Sequence, residues 1–183
     1  MTDIVERISH MLNEGGTDLY GGEAVTQTQH ALQCAALAEA AGASPALIAA
    51  SLLHDIGHFL DPEFEAALAA DKDLEHETVG EAFLESAFGS DVTRPVKMHV
   101  AAKRYLCATK DGYHAGLSEA SKHSLALQGG PMTADEVAAF ETDPHYRDAI
   151  RLRVWDDRAK DPEVETPDVA HFMTYVSRSL RAV

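Results

Sequence analysis

The chain has 183 residues, of which 45% are hydrophobic and 25% charged, a composition typical of a folded protein. We therefore expect a single domain over residues 1–183. Its formal net charge of −15 argues against a nucleic-acid partner, because binding to a phosphate backbone depends on clustered lysine and arginine. No apolar run reaches the roughly 18 residues that a membrane span needs. The two cysteines, Cys34 and Cys107, provide no disulfide framework, and we expect a cytoplasmic protein.

Apolar residues recur at helical spacing along the chain, and no segment alternates as strands do. The predicted helices cover residues 3–12, 26–41, 45–60, a stretch beginning at 75, 91–102, 117–127, a stretch beginning after 133, 146–158 and 166–182. Residues 63–71 are predicted as a short helix or loop, and residues 109–116 as an irregular loop. This pattern predicts an all-α bundle of about seven to nine helices.

Some helix starts have clear signals. Ser44 followed by Pro45 places a capping side chain before a proline at the first helical position. Thr133 with Glu136 has the spacing of a capping box.

The stretch from Ile48 to Leu60 reads IAASLLHDIGHFL, which predicts an apolar helix that carries three polar residues. His54 and His58 are four residues apart and share a helix face, whereas Asp55 points about 100° away from His54. A buried carboxylate is costly unless it is paired or bound to a metal. A hydrogen-bonded His–Asp pair is the simpler interpretation, so other residues must decide whether this stretch binds metal.

Four further candidate ligands lie on or beside predicted helices among apolar neighbours: His30, His76, His99 and Asp156. Helix bundles build metal sites in this way, from side chains of several helices that converge on the core. Together with the His54–Asp55 pair, these residues supply four neutral imidazoles and two carboxylates. The two carboxylates balance only part of the charge of two metal ions, so solvent or substrate must balance the rest. Imidazole with carboxylate suits iron, manganese, nickel or zinc, and the ligand types do not choose among them.

The order of these residues, His then His-Asp then Asp, resembles that of the HD-domain superfamily of metal-dependent enzymes. The two further histidines between the HD pair and the last aspartate resemble the branch with two metals. The resemblance implies a dinuclear site in the core of the bundle, with Asp55 as the bridging ligand. Its implied ligands are His30, His54, Asp55, His76, His99 and Asp156.

A second resemblance lies outside the ligands. Tyr20-Gly-Gly-Glu23 resembles the Tyr-x-x-Glu element of the mixed-valent di-iron oxygenases of organophosphonate catabolism. Further similar text extends to about Lys160: HALQC from His30, HVAAKRYL from His99, QGGPM from Gln128 and RVWD from Arg153. Taken alone, Tyr20 and Glu23 also fit a turn followed by an acid in the first turn of a helix, which is favourable there.

The resemblance to these oxygenases implies roles for three residues near the metals. Tyr20 would cap the second iron until substrate displaces it. Glu23 would contact a cationic nitrogen of the substrate, and Ser121 would contact its phosphonate.

Three more residues lie one helical turn from a ligand and could reach a phosphonate bound at the metals: His58, Lys103 and Arg153. For Lys103 and Arg153 the alternative is a solvated surface position, where such residues are usually found.

The reaction that the resemblance implies is oxidative cleavage of a carbon–phosphorus bond by an Fe(II)/Fe(III) pair, with O2 as co-substrate and phosphate as product. Gly21 and Gly22 leave room beside Glu23, which favours (R)-1-hydroxy-2-(trimethylammonio)ethylphosphonate, with glycine betaine as the other product. The same chemistry on 2-amino-1-hydroxyethylphosphonate, giving glycine, is an alternative. A metal-dependent phosphohydrolase and a regulatory HD module are alternatives of other classes. A phosphonate hydroxylase would supply the hydroxyphosphonate.

Overall fold

The structure is a computed structural model, and it describes residues 2–16, 19–20, 23–60 and 75–181. The helices in these residues are α1 (Thr2–His10), α2 (Gln27–Ala40), α3 (Pro45–Leu53), α4 (Ile56–Leu60), α5 (His76–Leu84), α6 (Ser90–Thr109), α7 (Tyr113–Gly116), α8 (Glu119–Leu127), α9 (Ala134–Phe140), α10 (Tyr146–Arg158) and α11 (Val169–Arg178). A π-helical turn, Met11–Gly15, follows α1. The described residues contain isolated β-bridges but no strand, so the predicted all-α bundle is confirmed, with eleven α-helices in the described residues where about seven to nine were predicted.

Helix starts follow the capping side chains. Ser44 Oγ accepts a hydrogen bond from the Leu47 amide, and Thr133 forms the predicted capping box with Glu136. Helix α11 begins at Val169 rather than at residue 166, because the Asp168 side chain caps it.

Another helix boundary also differs from the prediction. Helix α6 continues to Thr109, so the predicted loop over residues 109–116 is shorter and contains the single-turn helix α7. The short helix or loop predicted over residues 63–71 lies outside the described residues.

The predicted central helix is in fact two helices. Helix α3 ends at Leu53 and α4 begins at Ile56, with His54 and Asp55 in the turn between them. The His54 ring donates back to the Ser51 carbonyl at 2.9 Å. The His58 amide bonds to the Asp55 carbonyl at 3.0 Å, three residues back, which is the tighter spacing of a turn. The two polar residues therefore lie in a tight turn between α3 and α4.

Helix α3 is the centre of the fold. All its residues from Leu47 to Leu53 are buried, and it packs against α2, α6, α10 and α11. The main hydrophobic core includes residues from Ile8 in α1 to Val176 in α11. Among the described residues, no helix has the length and apolar character that a membrane span requires. That residues 1–183 form a single domain stays a prediction.

Candidate metal centre

Three ligands predicted from the sequence form a buried group, which we call the first half-site: His30 from α2, His54 from the α3–α4 turn, and Asp156 from α10. The His30 Nε2 atom lies 3.2 Å from His54 Nε2 and 3.4 Å from Asp156 Oδ1. The His54 Nε2 atom lies 3.8 Å from Asp156 Oδ2. Nitrogen and oxygen atoms this close can share one metal ion.

A second group, the second half-site, consists of His58 from α4, His76 from α5 and His99 from α6. The Nε2 atoms of His76 and His99 are 3.1 Å apart. The His58 ring stacks on the His76 ring with 4.3 Å between centroids. His58 thus lies at the half-site opposite the one that holds His54, because the turn at His54 and Asp55 separates the two histidines that one continuous helix would align.

Asp55 lies between the two half-sites. Its Oδ2 atom is 3.2 Å from His54 Nε2 and 3.7 Å from His30 Nε2. Its Oδ1 atom is 3.2 Å from His76 Nε2 and 3.4 Å from His99 Nε2. Each carboxylate oxygen therefore faces one half-site, the arrangement that a bridging ligand needs.

Backbone carbonyls fix three of the imidazole rings through Nδ1, and the acceptors are Ala159 for His30 at 2.8 Å, Ser51 for His54 at 2.9 Å and Val96 for His99 at 2.7 Å. A carbonyl only accepts hydrogen bonds, so Nδ1 carries the proton and the Nε2 atom faces the site. Both oxygens of Asp55 and Asp156 Oδ1 are buried and accept no hydrogen bond, and Asp156 Oδ2 is buried in an ion pair with Arg153. Such a collection of electron donors is costly unless cations occupy it, and it fits two metal ions.

The charges of the metal-free protein agree with this interpretation. Burial raises the pKa of Asp55 and of Asp156, but the neighbouring His54 and Arg153 charges outweigh it and hold both pKa values well below their usual range. Burial lowers the pKa of His54, whereas the two carboxylates raise it to about 9. The protonated His54 ring thus supplies the positive charge that a metal ion would otherwise supply, and metal binding would release this proton.

His58 differs from His54 in its charge. Burial and the neighbouring imidazoles lower the pKa of His58 to about 3, so this ring stays neutral.

Arg153 and Lys103 are only 4% and 3% exposed, so the solvated-surface alternative for these residues is wrong. The Arg153 guanidinium lies 2.7 Å from Asp156 Oδ2 and also contacts the Asp157 carboxylate. Arg153 therefore balances the charge of a predicted metal ligand, in addition to the phosphonate contact predicted for it. Lys103 Nζ donates to Ser124 Oγ at 2.7 Å, and burial together with the Arg153 charge lowers the pKa of Lys103 to about 7.

Tyr20 lies against the first half-site. Its ring stacks on the His30 ring with 3.9 Å between centroids and 11° between planes. Burial raises the pKa of the Tyr20 phenol well above its usual value, and the charges of Asp55 and Asp156 raise it further. The ring thus packs on a ligand predicted for the first metal, while the hydroxyl faces Asp55 between the half-sites, and the capping of the second iron by Tyr20 stays a prediction.

Glu23 has a partner that the sequence analysis missed. Its Oε1 atom accepts hydrogen bonds from Lys160 Nζ at 2.8 Å and from Ser118 Oγ at 2.6 Å. Lys160 also donates to Ser121 Oγ, the predicted phosphonate contact, at 3.1 Å. One signal could have identified Lys160: it follows the predicted ligand Asp156 by four residues, as Lys103 follows the predicted ligand His99. Gly21 and Gly22, predicted to make room here, lie outside the described residues.

Comparison with known proteins agrees with this site. A family model for the HD domain matches residues 28–144, which include five of the six predicted ligands; Asp156 follows later. The chain is 47% identical to a [1-hydroxy-2-(trimethylamino)ethyl]phosphonate dioxygenase (glycine-betaine-forming) of Leisingera caerulea, over 96% of this chain and 90% of the relative. It is 45% identical to a hydroxymethylphosphonate dioxygenase of Gimesia maris, over 96% of this chain and 88% of the relative. The chain belongs to the HD-domain family and, within it, to the phosphonate dioxygenases.

Proposed function

We propose that the chain is a non-haem di-iron oxygenase that cleaves the carbon–phosphorus bond of (R)-1-hydroxy-2-(trimethylammonio)ethylphosphonate with O2, forming glycine betaine and phosphate. The observation that carries the proposal is the position of Asp55, with one carboxylate oxygen facing each half-site. His30, His54, Asp55 and Asp156 would hold one iron ion; Asp55, His76 and His99 would hold the other. The named activity of the Leisingera relative supports this substrate.

Iron, when bound, supplies the activation of O2 and the redox chemistry. The protein's own contribution is to bind and orient the substrate. Lys103 and Arg153 place two buried cationic side chains beside the metal ligands, and these can donate charge-assisted hydrogen bonds to phosphonate oxygens. They offer an anion local attraction that the overall charge of −15 does not.

Three other residues complete the proposed substrate site. Ser121, buried beside Lys160, can donate a further hydrogen bond to the phosphonate. Neutral His58 offers a hydrogen-bonding ring at the second half-site. Tyr20, stacked on His30, fills space that the substrate would take, so its ring has to move when substrate binds.

A second candidate substrate is hydroxymethylphosphonate, which carries no cationic group. The observation that favours it is the Lys160–Glu23 ion pair, because the carboxylate expected to hold a substrate cation already holds an ammonium group. The Gimesia relative is named for this activity. The primary amine 2-amino-1-hydroxyethylphosphonate would use the same chemistry and yield glycine.

The test is release of phosphate from these three hydroxyphosphonates by iron-loaded protein, with and without O2. We expect release only with O2, and about two iron ions per chain. Equal release without O2 would instead identify a phosphohydrolase, and a single bound ion would contradict the dinuclear site. We also propose that a phosphonate hydroxylase supplies the substrate in the cytoplasm.

A further inference from the structure

Glu23, together with Ser118 and Ser121, binds the ammonium group of Lys160. The Lys160 ammonium donates hydrogen bonds to Glu23 Oε1 at 2.8 Å, to Ser121 Oγ at 3.1 Å and to Ser118 Oγ at 3.2 Å. The side chains of Glu23 and Lys160 are only 17% and 14% exposed. Three oxygen acceptors around one nitrogen satisfy an ammonium group completely.

The Tyr20 ring lies between this ion pair and the predicted metal ligand His30. The Lys160 ammonium lies 5.8 Å from the centroid of the Tyr20 ring, on whose face a cation is attracted. The same ring stacks on the predicted ligand His30. A molecule bound at the metals that displaces Tyr20 would therefore lie next to the ion pair.

The backbone on both sides of Lys160 is held in place. The Ala159 carbonyl accepts the hydrogen bond from His30 Nδ1 at 2.8 Å. The Gln33 side chain donates to the Asp161 carbonyl at 2.7 Å and accepts from the Asp161 amide at 3.2 Å. Because the backbone beside it is held, Lys160 would move away from Glu23 by rotation of its own side chain.

We infer that Lys160 is a specificity-determining residue, whose ammonium group competes with the cationic group of a substrate for Glu23. This inference rests on the proposed function, since it concerns the substrate of the same site. A cationic substrate must displace the lysine ammonium before it can pair with Glu23. A substrate without a cationic group leaves the ion pair intact and keeps the Lys160 charge near its phosphonate.

The chemistry of the two cations makes this competition unequal. A trimethylammonium group has no hydrogen to donate, so it cannot replace the hydrogen bonds that Lys160 makes with Glu23, Ser118 and Ser121. Removal of the Lys160 charge should therefore strengthen binding of a ligand with a trimethylammonium group and weaken binding of a ligand without a cationic group. The ratio of the two affinities should change by about 10- to 100-fold, which corresponds to the free energy that hydrogen bonds to a charged group contribute.

The experiment compares two ligands of the same shape that differ in one charge: 2-(trimethylammonio)ethylphosphonate and 3,3-dimethylbutylphosphonate. Both lack the hydroxyl group on C1, so the Kd values report binding without turnover. Isothermal titration calorimetry would be done without O2 on the iron-loaded wild type, Lys160→Met and the matched control Lys160→Arg. We expect Lys160→Met to shift the Kd ratio towards the cationic ligand by about 10- to 100-fold, and Lys160→Arg by less than about threefold.

Further variants separate this role from a structural one. In a Glu23→Gln background the shift caused by Lys160→Met should shrink, because the shared carboxylate is gone. If Lys160→Met does not fold, Lys160→Gln gives the same readout and keeps a hydrogen-bonding group for Ser118. An unchanged Kd ratio, with both ligands weakened equally, would overturn the inference and make Lys160 a phosphonate contact only.

The two proposals fail in different ways. If no hydroxyphosphonate yields phosphate in the presence of O2, the proposed function is wrong. The Kd ratio would still decide whether Lys160 discriminates between phosphonates with and without a cationic group.

Discussion

The two half-sites are held by different parts of the structure. In the first, His30, His54 and Asp156 are all at most 1% exposed, and backbone carbonyls fix both rings. In the second, the His76 side chain is 12% exposed, and its Nδ1 atom faces the Glu77 carboxylate at 3.7 Å. The first half-site is wholly buried. In the second, His99 is also buried and held by the Val96 carbonyl, and His76 lies nearer the surface beside the Glu77 carboxylate.

The backbone around His76 also differs from that around the first half-site. Gly57 in α4 approaches the His76 carbonyl so closely that a Cβ atom would lie 2.1 Å from its oxygen. Glu75, directly before His76, has a φ of 52°, a left-handed conformation that non-glycine residues rarely adopt. Close packing at Gly57 and the left-handed backbone of Glu75 hold His76 in place. Because the His76 side chain is nevertheless more exposed than the ligands of the first half-site, we expect the second metal ion to be the easier one to lose.

Asp55→Ala should have the largest effect, because it removes the only group that faces both half-sites among the predicted ligands. We expect phosphate release to be abolished and iron to fall from about two ions per chain to one or fewer. Metal analysis and activity assays would measure this, with Asp148→Ala on α10, where the side chain is 41% exposed, as control. Retention of two ions by Asp55→Ala would contradict the bridging role.

Arg153→Met tests how far Arg153 stabilises the buried Asp156 carboxylate of the first half-site. It leaves the buried Asp156 carboxylate without its cation, which should lower the free energy of unfolding of the metal-free protein by about 3–5 kcal/mol. The control is Arg151→Met on the same helix, whose ion pair with Asp148 is about half exposed and should contribute less than about 1 kcal/mol. Urea unfolding at pH 7 measures both, and equal effects would show that Arg153 does not stabilise Asp156.

Lys103 lies near the Arg153 side of the centre, and its pKa of about 7 has a consequence for stability. This folded-state pKa is below the usual value of lysine, so between the two values the unfolded chain binds more protons than the folded chain. The cost to folding is complete below pH 7 and disappears as the pH rises towards the usual lysine pKa. At pH 6 the free energy of unfolding of metal-free Lys103→Met should therefore exceed that of the wild type by roughly a few kcal/mol. This difference should shrink at higher pH. Urea unfolding at several pH values would test this, and a constant difference would contradict it.

The same lysine should matter for substrate affinity. Lys103→Ala should raise the KM for the hydroxyphosphonate by about 10- to 100-fold while iron content stays the same, since a charge-assisted contact contributes about 1.5–3 kcal/mol. Steady-state kinetics with metal analysis would test this. An unchanged KM would remove Lys103 from the substrate site.

Glu77→Gln should have the smallest effect, and only on the second half-site. Loss of the carboxylate beside His76 should weaken binding of the second metal ion by about 10- to 100-fold and leave the first unchanged. Removal of iron by a chelator would be followed for Glu77→Gln and for the control Glu81→Gln, one turn further along α5, whose side chain pairs with Arg94. Equal loss of both ions from Glu77→Gln would show that the half-sites do not differ in this way.

The sequence by itself determined most of the helices and the identity of the residues that face the centre. Caps such as Ser44 and Thr133 act within three residues of themselves, so local sequence is enough to place them. The order of the histidines and aspartates carried the family resemblance. The six predicted ligands do lie together in the structure.

Only the tertiary structure decided which of these residues lie at each half-site and which side chains pair with them. The break at His54 and Asp55, which sends His58 to the second half-site, was hidden because the stretch reads as one continuous apolar helix. The pairing of Glu23 with Lys160 joins residues 137 positions apart. Helical periodicity relates residues up to about four positions apart, which identifies the face of a helix but not the side chains opposite it. Those partners are set by how the helices pack, and here the packing gives Asp55 one half-site on each side and gives Glu23 a cation of its own.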